Sequence, residues 1–180
     1  YIPDEWPRAE VATLPSGPAF KVEESKEERD FEQVHLCLAA ACPPASAPER
    51  YPLALLDAVL GGSVSSRLFQ AVREERGLAY SVGSSVSLFR QTGIALIHLS
   101  TAPQLAEEAL RVVAEEVRTL RERGVEEAEL RRAKQQARAG LVLSMDTTMA
   151  RMGRLAKNVL LLDRILPMEE ALDLLEPVSY

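Results

Sequence analysis

Only two histidines occur in the 180 residues, His35 and His98. Each falls inside a stretch that reads as a strand, with no carboxylate at ligand spacing. A catalytic zinc needs three protein ligands, and neither His-Glu-x-x-His nor its inversion is present, so no metal site is expected in this chain. Cysteine is equally scarce. Cys37 and Cys42 match no metal spacing or disulfide framework, and they are expected to be reduced, as suits a cytoplasmic compartment. Positive charge is in deficit: a net charge of −6 gives neither nucleic acid nor an anionic membrane surface a basic face to bind. No apolar run approaches the roughly 18 residues of a membrane span, and no basic leader with a cleavage site opens the chain. Nucleic acid and membrane are therefore not expected partners.

What is present is an ordinary core-forming composition, 47% hydrophobic and 27% charged, enough for one sizeable domain. The arginines are interleaved with glutamates along helices, the pattern of a solvated, ion-paired surface. Residues 1–18 are punctuated by Pro3, Pro7, Pro15 and Pro18 without periodicity and read as an extended linker or arm; residues 19–180 read as the domain. Phe20 to Glu23 and Phe31 to Ala41 read as two strands forming a buried antiparallel pair. Glu49 to Leu60 has helical spacing and stops at Gly61-Gly62. A second helix, about Val64 to Arg76, aligns Val64, Leu68 and Val72, with Ser63 as N-cap and Gly77 beyond its end. The period then switches to two: Leu78, Tyr80, Val82, Val86 and Leu88 share one side of a strand, and Ile94 to Leu99 returns as a central strand. Four helices follow. The first carries Leu105, Ala109, Val112, Val113, Val117 and Leu120 and ends at Gly124; the second carries Leu130, Ala133, Ala137 and Leu141 behind acidic Glu126-Glu127. The third starts at Asp146 and carries Met149, Met152, Ala156 and Val159, and the fourth spans Pro167 to Leu175. Strands, helices, a hairpin and more helices give an α+β fold, with an antiparallel β-sheet packed against helices on one face.

Chemistry has few candidates. Ser65 and Ser66 follow two glycines, but without a Gly-x-Ser-x-Gly elbow or a histidine base they read as capping serines. Gly61 and Gly62 could cradle an anion at a helix start, yet they match no P-loop or dinucleotide fingerprint, and a sharp turn between packed helices explains them. Arg73 lies one turn after Phe69 and Tyr80 on the apolar side of its strand, so patterning alone reads both as parts of a packed corner. The functional reading is that a guanidinium and a phenol, seven residues apart across a helix-to-strand corner, converge as donors on one carbonyl oxygen.

The stretch Leu-Gly-Gly-x-x-Ser-Ser-Arg-Leu-Phe-Gln-x-x-Arg-Glu-x-Arg-Gly-Leu-Ala-Tyr-Ser-Val, from Leu60 to Val82, resembles the C-terminal, non-catalytic domain of the insulinase-like, or M16, zinc metallopeptidases, the family of pitrilysin and the mitochondrial processing peptidases. Tyr51 to Leu60, Gly124 to Lys134 and Pro177-Val178-Ser179 extend the resemblance, which covers about Phe31 to Ser179. It implies a LuxS/MPP-like metallohydrolase fold, one half of a clamshell around a peptide or unfolded-protein substrate. It also implies that zinc belongs to an absent N-terminal half or partner subunit, that Arg73 and Tyr80 contact substrate, and that this chain alone is inactive. The alternative is a proteolytically inactive scaffold of the same fold, like the core subunits of respiratory complexes. One departure stands out: the family's domain opens with a strand and helix that Tyr1 to Pro18 does not offer. A truncated sheet with exposed edges, and a tendency to self-associate, is expected from that.

Overall fold

The computed structural model describes residues 17–179. Its centre is a three-stranded antiparallel sheet in the order β1-β3-β2, built from β1 (Val34–Cys42), β2 (Ser81–Leu88) and β3 (Gly93–Thr101). The central strand pairs from Val34↔Thr101 to Cys42↔Gly93 on one side and from Ser81↔Ser100 to Leu88↔Gly93 on the other. Among the described residues five α-helices accompany it: α1 (Arg50–Leu60), α2 (Ala106–Arg123), α3 (Glu127–Leu143), α4 (Thr148–Leu162) and α5 (Met168–Asp173). This is the expected α+β arrangement, with the strand read as central in the sheet's middle.

Two clusters of buried side chains hold the layers. Val82 and Leu99 of the sheet meet Ala109, Val112 and Val113 of α2 together with Leu68 and Val72 of the segment after α1. Leu55 and Val59, on another side of α1, meet Leu130 and Ala133 of α3 and Leu175. The apolar residues of α1 to α3 recur at three and four positions, which is why each helix buries one stripe. Helix α3 begins with a reciprocal capping box: Glu126 N–H donates to the Glu129 carboxylate at 2.8 Å, and the Glu126 side chain accepts from the third residue's N–H.

The structure corrects several sequence readings. Residues 20–23 form no strand; Phe20 is 47% and Val22 95% exposed, and β1 pairs with β3 instead. Two apolar residues alternating with Lys21 and Glu23 bury too little to hold a strand, whereas β3 offers β1 a nine-residue register. The strand expected from Phe31 begins at Val34, and as an edge strand it is largely exposed rather than buried. The second helix is also altered. Ser63 supplies no side-chain cap; its carbonyl accepts from Ser66 N–H at 3.1 Å and from Ser66 Oγ at 2.5 Å, so the chain turns there and Val64 is left 71% exposed. From Phe69 to Glu74 the backbone is a π-helix. Helix α4 is capped by Thr147, whose Oγ1 accepts from Ala150 N–H at 3.1 Å, rather than by Asp146. None of its residues is buried, and Met149, Met152 and Val159 lie open. The linker assigned to residues 1–18 lies almost wholly outside the described residues.

Candidate functional site

The corner between α1 and β2 is built around a close approach. Gly61 ends α1, and both its N–H and that of Gly62 donate to Asp57 O, at 3.0 and 2.8 Å. A Cβ on Gly61 would stand 2.3 Å from the Ser84 backbone nitrogen, so the turn lies flat against β2. Ser84 Oγ donates to Asp57 Oδ1 at 2.5 Å and fastens strand to helix. Gly61 and Gly62 therefore form a turn packed against β2.

The chain then enters the π-helix. Leu68 and Val72 are fully buried and Ala71 nearly so, which pins the segment to the core. Glu75 N–H donates to Gln70 O at 2.9 Å, the five-residue step of a π-turn, and Leu78 N–H reaches back to Val72 O at 2.8 Å. That closure needs the left-handed conformation Gly77 adopts, with φ +61°. Leu78 and Ala79 are consequently both buried, and the sheet starts only at Ser81. Tyr80, expected on the buried side of a strand, is instead 76% exposed, because it stands at the corner before the alternation begins.

Arg73 points to the same corner. Its guanidinium carbon lies 4.9 Å from the Phe69 ring centroid and 5.9 Å from that of Tyr80, both within cation-π reach. Its ionic neighbour among the described residues is Glu74, at 3.9 Å, with both side chains about half exposed. The structure thus brings Arg73 and Tyr80 together at the surface and adds Phe69, which sequence reasoning had noted only as a landmark. The four-residue spacing from Phe69 to Arg73 is the signal that could have found it.

A second arginine was missed. Arg67 donates through Nε to Glu129 Oε1 at 2.7 Å and through Nη2 to Glu129 Oε2 at 2.6 Å, and Nη2 also reaches Gly124 O at 3.0 Å. Hydrogen bonding to Arg67 holds the Glu129 carboxyl below the usual carboxylate range, against an opposing effect of burial. This fork ties the glycine corner to the start of α3.

A cavity of about 860 Å³ lies elsewhere, between α1, α2 and the sheet, lined by Leu38, Leu53, Leu56, Ile97 and Val117 with Arg118 and Arg121 at its wall. It includes none of Phe69, Arg73 or Tyr80. Among the described residues no group of three or more His, Cys, Asp or Glu is placed to hold a metal ion, and no helix is long and apolar enough to cross a membrane. Cys37 and Cys42 are unbridged.

Residues 3–137 match the family model described as the peptidase M16 inactive domain. The chain belongs to that family. It is 36% identical over 162 residues to an uncharacterised zinc protease of Bacillus subtilis, covering 90% of this chain and 40% of that protein. An uncharacterised zinc protease of Mycobacterium tuberculosis is 38% identical over 151 residues, covering 84% of this chain and 34% of the relative. The M16 chain therefore spans about two fifths or less of the length of these relatives. Among solved structures, a peptidase M16 inactive domain from Pseudomonas fluorescens superposes with a TM-score of 0.74 at 26% identity, over 82% of this chain and 35% of that one. Complex III2 from Candida albicans contains a chain with a TM-score of 0.74 at 20% identity, over 84% of this chain and 38% of that one, a likeness of fold.

Proposed function

We propose that this M16 domain is the substrate-clamping, non-catalytic half of a zinc metalloendopeptidase. The observation that carries the reading is the convergence of Arg73 and Tyr80 at an exposed corner whose backbone is fixed by buried neighbours. A guanidinium presents up to five N–H donors and a phenol one, and neither side chain is needed for the core. Aimed at the backbone of an extended peptide, they fix its register and stabilise negative charge developing on a carbonyl oxygen, which a low-dielectric, closed cleft would strengthen.

Among the described residues no group fits a zinc site, so no hydrolytic step is assigned to them. The relatives' names and their greater length support a zinc site in another part of the same polypeptide or in a partner subunit. The chain's own work is then to bind and orient a peptide or unfolded segment against that other half.

Replacing both residues (Arg73→Ala with Tyr80→Phe) in the full-length protein tests the reading. A fall of about a hundred-fold in kcat/KM on an extended peptide, with unchanged unfolding midpoint, is the expected result. Full activity would overturn the clamp reading and make the pair ornamental. Chelator-sensitive cleavage by the purified 180-residue chain would overturn the division of labour.

A further inference from the structure

Among the described residues the Arg73 guanidinium has no close ionic anchor. Glu74 is 3.9 Å away, and side chains 43% and 52% exposed form the kind of pair that holds geometry weakly. An unanchored arginine samples many rotamers, and a substrate that must order it bears that entropic cost. Yet the Arg73 guanidinium carbon lies over two aromatic rings, 4.9 Å from the Phe69 centroid and 5.9 Å from that of Tyr80. Phe69 is only partly exposed, and it stands between Leu68 (0% exposed) and a buried Ala71-Val72 pair, so its backbone cannot drift.

We propose that Phe69 is a positioning residue for Arg73, holding the guanidinium against its ring so that the N–H edge is presented to the peptide already ordered. The four-residue spacing makes the stack possible: residues i and i+4 of a helical segment are neighbours on its surface, which brings ring and guanidinium side by side. Stacking engages the faces of the guanidinium and leaves its donors along the edge free, whereas a close carboxylate would occupy them. The inference rests on the substrate-clamp reading of Arg73. It adds a residue that acts without touching the substrate.

The test joins a spectroscopic and a kinetic measurement on the full-length protein. With ¹⁵N-labelled arginine, the Arg73 Nε–H resonance, assigned by its loss in Arg73→Lys, should carry a ring-current displacement that Phe69→Leu removes and Phe69→Tyr keeps. On an extended peptide, Phe69→Leu should lower kcat/KM about five-fold, the magnitude of one cation-π contact, while Phe69→Tyr stays within about two-fold of wild type. In an Arg73→Ala background the Phe69→Leu change should cost nothing further. Phe69→Met, which keeps the volume and removes the ring, repeats each measurement should Phe69→Leu fold poorly. An unmoved Arg73 resonance overturns the stack. A Phe69→Leu loss that persists without Arg73 overturns the route through Arg73. A fully active Arg73→Ala protein overturns the clamp reading and the functional part of this inference with it, and the resonance then still reports whether the stack exists.

Discussion

Arg67 and Arg73 sit six residues apart on one short helical stretch and live in opposite surroundings. Arg67 is 14% exposed and its guanidinium is forked onto an equally enclosed Glu129, with Gly124 O as a third acceptor. Arg73 is 43% exposed, with the Phe69 and Tyr80 rings within cation-π reach of its guanidinium and no carboxylate nearer than Glu74 at 3.9 Å among the described residues. The difference teaches what distinguishes a fastening arginine from a presenting one. Both are charged and both are held, but a carboxylate holds by occupying the donors and a ring holds while leaving them available. The fastening arginine joins parts of the chain 62 residues apart and so makes the corner rigid. The presenting arginine uses that rigidity.

The harshest way to break the comparison is to disturb the corner that carries both arginines. In Gly61→Ala the new Cβ would meet the Ser84 backbone nitrogen at 2.3 Å, an atom that cannot swing aside as a side chain could, so strand and turn must part. A loss of about 3 kcal/mol in urea unfolding is expected. Arg67→Met should follow, costing about 2 kcal/mol by leaving a largely enclosed carboxylate without its partner. Arg73→Ala should change stability by less than about 0.5 kcal/mol. Equal losses from the two arginine variants would erase the distinction. Acid sharpens it. Because Arg67 holds the folded-state pKa of Glu129 below its unfolded value, the stabilisation is fully present above that unfolded value and is lost as pH falls through the folded one. The stability gap between wild type and Arg67→Met should therefore narrow below about pH 4, and a gap independent of pH would show that packing alone was lost.

How much of this was legible before the structure depended on the range of the interaction. Helices α1 to α3 and the β2-β3 hairpin were readable because each buries a regular stripe and stops at a glycine or tight turn, signals that lie within a few residues. The stretch at residues 20–23 was misread because a two-residue alternation does not say which strand will pair with it. Tyr80 was placed on the buried side because a period of two was counted from Leu78; the closure of Leu78 onto Val72 delays the sheet to Ser81 and swings Tyr80 out. That pairing of Arg73 with Tyr80 was visible as spacing, whereas the Arg67–Glu129 fork was invisible, since no local pattern links residues 62 apart. Helix α4 marks the same limit from the other side: its stripe of Met149, Met152 and Val159 is plain in the sequence, but a stripe does not say what covers it.

The smallest expected effect separates the arginines most cleanly, because it leaves both untouched and changes only the carboxylate beside each. Glu129→Gln and Glu74→Gln are the same near-isosteric exchange. At Glu129 it removes the charged acceptor of a 2.6 Å and 2.7 Å fork and weakens the capping box at the head of α3, so about 1.5 kcal/mol should be lost at neutral pH. At Glu74 the exchange removes a partner 3.9 Å away in solvent, and salt screens what attraction remains. Urea unfolding of Glu74→Gln should differ from wild type by less than about 0.3 kcal/mol, and its kcat/KM on an extended peptide should be unchanged. A measurable loss of activity in Glu74→Gln would mean that the carboxylate, and not the two rings, orients Arg73, and the contrast between a fastened and a presented arginine would then reduce to two ion pairs of unequal strength.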